Sequence, residues 1–282
     1  MSPALLLAAK LALVAGTVVL ASLVSRRYGH AAGGVLAGLP MIAAPITALL
    51  LVDLPADAVR AVCLATLACQ PALMAYLVVH AHLAQRWPWW ACLAGALAVF
   101  FGGGALLLAL PLPEWARVAL AAVSPLIGAW AMPRLAARTA GGPVTLPRIE
   151  LACRVAVAVG VAAGVMWGAQ HLSTGVAGLL LAAPITGIVL PAFTLPRHGG
   201  VATAVLLGGF VRGQMGFVTF FVAMLIALPR LPAPAAWLVA MAAAGALPAA
   251  WAKARARACR RTAATPAAGT APGPPTARSG TR

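Results

Sequence analysis

Nine apolar stretches of about membrane-spanning length, divided only by short runs of Pro, Gly and charge, constrain this chain more than any motif in it. A bilayer core of about 30 Å requires about 20 mostly apolar residues per helix. Such runs lie near 4–24, 31–52, 58–79, 89–110, 114–133, 150–169, 174–194, 200–228 and 233–252. Only 9% of the 282 residues are charged, against about 25% in a soluble domain, so a charged shell around a globular core is not available. The expected class is all-α: a polytopic helical membrane protein in the bilayer of a bacterial inner membrane. All eight tryptophans (Trp87, Trp89, Trp90, Trp115, Trp130, Trp167, Trp237 and Trp251) fall near the ends of these runs, where their rings favour the headgroup interface.

The basic residues divide by side. One set of flanks carries Arg26, Arg27, Arg86, Arg134, Arg138, Arg148, Arg197, Lys253, Arg255, Arg257, Arg260 and Arg261. The opposite set carries only Arg60, Arg117 and Arg230, together with Asp53, Asp57 and Glu114. Short loops rich in Lys and Arg stay in the cytoplasm, so the N-terminus is expected outside and the C-terminus inside. This explains a net charge of +16 without nucleic acid as a partner, and no aromatic residue for base stacking follows Trp251. Lys10 interrupts the first apolar run, which reads as a retained helix and not a signal peptide. Cys63, Cys69, Cys92, Cys153 and Cys259 form no CxxC pair and have no His at zinc spacing, so neither a metal nor a cofactor is expected. The last thirty residues, 253–282, are basic and then rich in Ala, Thr, Pro and Gly, a composition expected to stay disordered in the cytoplasm.

One pattern occurs twice. Ala43-Ala44-Pro45-Ile46-Thr47 recurs as Ala182-Ala183-Pro184-Ile185-Thr186, and Ala37-Gly38-Leu39 recurs as Ala177-Gly178-Leu179. Each copy lies in the second helix of its half. A first unit of five helices (1–139) reverses the entry side of a second unit of four (140–252), so the expected architecture is a pair of inverted-topology repeats. Transporters of that build hold substrate near the midplane, between interrupted helices of the two halves. Here the interruptions are Pro40 and Pro45, Pro184, Pro71, and the glycines Gly208, Gly209, Gly213 and Gly216. The prolines are expected to face the bundle interior, where the carbonyl each one frees finds a partner.

An ionisable residue at the centre of a membrane helix costs at least about 2.5–3.5 kcal/mol and is a functional candidate by default. Arg212 stands about twelve residues into the eighth run, with Gln214 beside it and Gln70 at the matching position of the third run. The candidate substrate site therefore comprises Arg212, Gln214, Gln70, Pro45, Thr47, Pro184 and Thr186. Lys10 and Arg154 sit near helix starts, where long side chains reach the interface. His80, His82 and His171 are placed at interfaces, no catalytic residue is assigned, and the four acids lie at helix ends.

The stretch RRYGHAAGGVLAGLPMIAAPITALLL resembles the opening of a family of uncharacterised bacterial multi-pass membrane proteins. Arg27, Gly29, Gly33, Gly34, Gly38, Leu39, Pro40 and Pro45 carry the resemblance, which covers mainly residues 26–52. It implies a multi-pass membrane protein and supplies neither a substrate nor site residues. The expected function is a small secondary transporter or facilitator. With three basic residues and no acid inside the spans, an anionic or neutral solute fits better than a cation. Two other classes stay open, a non-transporting membrane subunit that binds partner helices and an enzyme of lipid-linked substrates.

Overall fold

A computed structural model describes residues 38–133, 148–171 and 173–246, with positions 11, 12, 15, 16, 19, 35 and 36. Lys10, the Arg26 and Arg27 flank, residues 134–147 and everything after 246 lie outside the described residues, as does the side chain of Arg154. The described residues belong to the first of two units, Met1–Pro248; the second is Ala249–Arg282. Every described element is an α-helix. They are α1 (Ala43–Asp53), α2 (Ala56–Ala68), α3 (Gln70–Leu83), α4 (Trp89–Ala109), α5 (Glu114–Ala131), α6 (Arg148–His171), α7 (Thr174–Ala182), α8 (Ile185–Ala227) and α9 (Ala233–Ala246).

Proline sets several boundaries. α2, α4 and α5 each begin directly after a proline with extended ψ: Pro55 at 148°, Pro88 at 155° and Pro113 at 158°. A helix start tolerates proline because the missing N–H has no partner there in any case. α5 stops at the residue before Met132-Pro133, and Met132 takes the extended conformation (ψ 145°) to which a pre-proline residue is biased.

Three described stretches are long and apolar enough to cross a membrane: Ala56–Leu83, Trp89–Ala109 and Thr174–Ala227. α1, α9 and Leu151–Val165 of α6 are apolar but shorter. Of the nine expected runs, most of the first and the end of the last lie outside the described residues. The second run is broken before Ala43, leaving the 11 residues of α1, and α5 carries Glu114 and Arg117 in 18 residues. Thr174–Ala227, at 54 residues, contains two of the expected runs. Within α8, Gly199 has φ 78° and ψ 178°, a left-handed region open to glycine at little cost. A Cβ built on Gly187 would lie 2.8 Å from the Phe210 ring, although 23 residues of unbroken helix would separate them by about 35 Å. α8 therefore doubles back at Gly199 into two arms, 185–198 (α8a) and 200–227 (α8b).

α3 and α8b hold the centre, with Tyr76, Leu77, Leu207, Phe220 and Phe221 almost fully buried. α4 and α5 flank them and turn Phe101, Leu106, Leu120, Val123, Leu126 and Ile127 outward. An apolar outer face on an apolar helix suits lipid and not water. Trp87, Trp89, Trp90, Trp115 and Trp130 are exposed near helix ends. Trp237 differs: it is half-buried and its Nε1–H donates to the Ala44 carbonyl at 2.9 Å. At the α2 and α5 starts, Arg60 and Glu114 form an ion pair.

Candidate functional site

Two hydrogen bonds fix how the central helices run. The Gln85 side-chain amide donates to the Gly200 carbonyl at 3.0 Å, and the Gln70 amide donates to Gln214 Oε1 at 3.0 Å. Going 15 residues forward from Gln70 to Gln85 corresponds to going 14 residues back from Gln214 to Gly200, so α3 and α8b are antiparallel neighbours. At their junction with the chain end of α3, a Cβ on Gly200 would run into the Ala84 carbonyl, which makes glycine the residue that permits the approach. Gln70 and Gln214 are both buried, and Gln70 Oε1 has no partner among the described residues.

The two copies of the repeated segment pack crosswise. A Cβ on Gly38 would run into the Phe210 carbonyl and lie 2.8 Å from Gly213 Cα, both on α8b. A Cβ on Gly178, its counterpart, would run into Ala65 Cβ and lie 2.8 Å from the Thr66 nitrogen, both on α2. Each copy thus presses its glycine onto a helix that follows the other copy. Both copies also interrupt their helices. The first breaks over Leu39–Ile42 and restarts at Ala43; the second breaks at Ala183-Pro184 and restarts at Ile185. Pro40, Pro45 and Pro184 are buried. Thr47 is buried with its hydroxyl donating to Ala43 O at 2.8 Å in its own helix, whereas Thr186 is half-buried in the first turn of α8.

Two prolines inside helices, Pro125 and Pro191, leave carbonyls that receive hydroxyl donors. Pro125 removes the N–H that would serve Ala121 O, and Ser124 Oγ donates to that carbonyl at 3.0 Å. Pro191 does the same to Gly187 O, and there Tyr76 Oη donates at 2.7 Å. His80 Nδ1 stands 3.3 Å from the same phenol oxygen, with the two rings edge-to-face at 5.6 Å. His80 is buried, 1% exposed, and its Nε2 has no partner among the described residues. Its neighbour His82 is exposed.

Arg212 is not brought to the glutamine pair. Residues two apart on a helix point about 200° from each other. Gln214 faces α3, and Arg212 lies on the open side of α8b, in a stripe one residue wide that runs through Val201, Val205, Gly208, Met215, Thr219 and Ile226. The residues on either side define its walls. Val211 touches the Gly128 position of α5, and Gly213 meets Gly38 and the Val35 carbonyl. Arg212 is exposed between these two contacts and pairs with no acid among the described residues.

Comparison with family models, with curated proteins and with solved structures finds no match to this chain.

Proposed function

We propose that this chain is a small secondary transporter or facilitator of the inner membrane, made of two inverted repeats of five and four helices and moving a small anionic or neutral solute. The crosswise packing of Gly38 on α8b and Gly178 on α2 carries this reading. Two halves related by a two-fold axis in the membrane plane would exchange contacts in this way, and the Gln70–Gln214 hydrogen bond between α3 and α8b supports the reading. Helix breaks in both copies place irregular backbone inside protein, where a solute path tolerates it. Arg212 supplies an exposed positive charge on α8b. Nine spans, a periplasmic N-terminus and a cytoplasmic C-terminus complete the proposal. The ion pair of Arg60 with Glu114 supports it, because the loop-charge rule assigns both to the same side.

The test is Arg212→Gln in reconstituted vesicles presented with nitrate, sulfate, gluconate and mannitol. An exposed side chain with no bonded partner contributes little to folding, so melting in detergent should stay unchanged while anion entry falls at least tenfold. Unchanged anion entry removes Arg212 from the site. Entry of none of the four solutes into vesicles of the unmodified protein favours instead a non-transporting subunit, for which the open backbone around Gly102 on α4 offers a partner helix room to approach.

A further inference from the structure

Tyr76, His80 and Pro191 together fix where one proton sits. A phenol has a single proton, and a carbonyl only accepts. Because Pro191 has no N–H, Gly187 O takes its hydrogen bond from Tyr76 at 2.7 Å, and the Tyr76 proton is committed there. The phenol oxygen then faces His80 Nδ1 as an acceptor, so Nδ1 carries the imidazole hydrogen. In the neutral ring Nε2 is left as a bare lone pair, on a side chain 1% exposed, with no hydrogen-bond partner among the described residues.

We propose that Nε2 of His80 is an intramembrane proton-binding site of this protein. Protonation there forms one N–H bond with a proton from water and leaves Nδ1–H, Tyr76 and Gly187 as they are, since the neutral and cationic rings both keep the Nδ1 hydrogen. The site therefore loads and unloads without breaking the chain that orients it. The titratable and charged groups of the elements around it are these: on its own helix Tyr76 and exposed His82, with Arg86 just beyond its end; on α4 Cys92; on α5 Glu114 and Arg117; on α8 Arg197, His198 and Arg212. The carboxylates of the packed elements lie at the far end: Glu114 is paired with Arg60, and Asp57 is 23 residues from His80, about 35 Å by helix rise. Under the transport reading, on which this clause alone rests, the His80 proton is the coupling ion.

The full chain labelled with nitrogen-15 at histidine, with His80 assigned by its loss in His80→Gln, gives a direct readout. At neutral pH His80 should show a hydrogen-bearing Nδ1 and a bare Nε2, and on acidification both nitrogens should bear hydrogen. Pro191→Ala returns an N–H to Gly187 O and frees the Tyr76 proton for His80, so the tautomer should switch to Nε2–H. Tyr76→Phe removes the acceptor and should also release the Nδ1 preference. An Nε2–H tautomer in the unmodified protein, a tautomer indifferent to both substitutions, or an Nε2 that takes no proton at any pH at which the protein stays folded overturns the site. In vesicles, an inward proton gradient should accelerate solute entry through the unmodified protein at least fivefold and should have no such effect on His80→Gln. Entry indifferent to the gradient removes the coupling role alone. Absence of any solute entry removes the transport reading and leaves the nitrogen spectra to decide the proton site.

Discussion

The two copies of the repeated segment share five residues in a row yet do not break their helices at the same place. The first unwinds before its Ala-Ala-Pro-Ile-Thr, over Leu39–Ile42, and the second unwinds within it, at Ala183-Pro184. What they keep in common is the glycine upstream, Gly38 or Gly178, and its seat on a helix that follows the other copy. The difference teaches that the close crossing constrains the sequence more tightly than the position of the break. A crossing requires a missing side chain at one point, whereas a break requires only that freed backbone groups stay inside protein.

The largest expected effect therefore lies at the crossings. Gly38→Leu and Gly178→Leu each force a side chain into a helix that follows the other copy and should each lower stability by about 3 kcal/mol, the upper range for overpacking, as measured by thermal melting in detergent. Tolerance of one substitution and not the other would break the equivalence of the copies. Gln70→Leu comes next. It leaves the Gln214 amide buried without its partner and should cost about 2 kcal/mol. Adding Gln214→Leu should recover most of that loss, so a double-mutant cycle with no coupling would remove the glutamine pair from the centre.

Ser124→Ala should cost about 1–2 kcal/mol by stranding Ala121 O, and restoring an N–H with Pro125→Ala in the same chain should return it. A loss that Pro125→Ala does not rescue would show that Ser124 acts otherwise. The smallest effect is a gain. Gly102 has nothing within 4 Å of an added Cβ, so Gly102→Ala should stabilise α4 by about 0.5–1 kcal/mol, in contrast to the glycines of the crossings. A loss at Gly102 would mean that an outer helix is packed as tightly as the centre.

Much of the helical layout was legible because proline punctuates it: Pro55, Pro88 and Pro113 mark helix starts in the sequence and in the structure. Gln70 and Gln214 were both named as candidates in the sequence, but their hydrogen bond to each other was not readable from the repeat, whose offset places the counterpart of Gln70 several residues before Gln214. Grouping Arg212 with Gln214 was not sound, since helical periodicity alone turns them to opposite faces. Burial of His80 could not be read locally. Its spacing from Tyr76 is visible in the sequence, but what occupies Tyr76 is a carbonyl 111 residues further on, exposed to need by a proline in another helix.

The two proline repairs also differ in when they become possible. Ser124 sits beside the gap it closes, so α5 is complete as soon as it forms. α8a has no such helper nearby. Until α3 packs against it with Tyr76, its Gly187 carbonyl has no hydroxyl donor. Docking of α3 on α8a removes that deficit. Tertiary assembly is thereby rewarded at a single hydrogen bond that neither helix can make by itself.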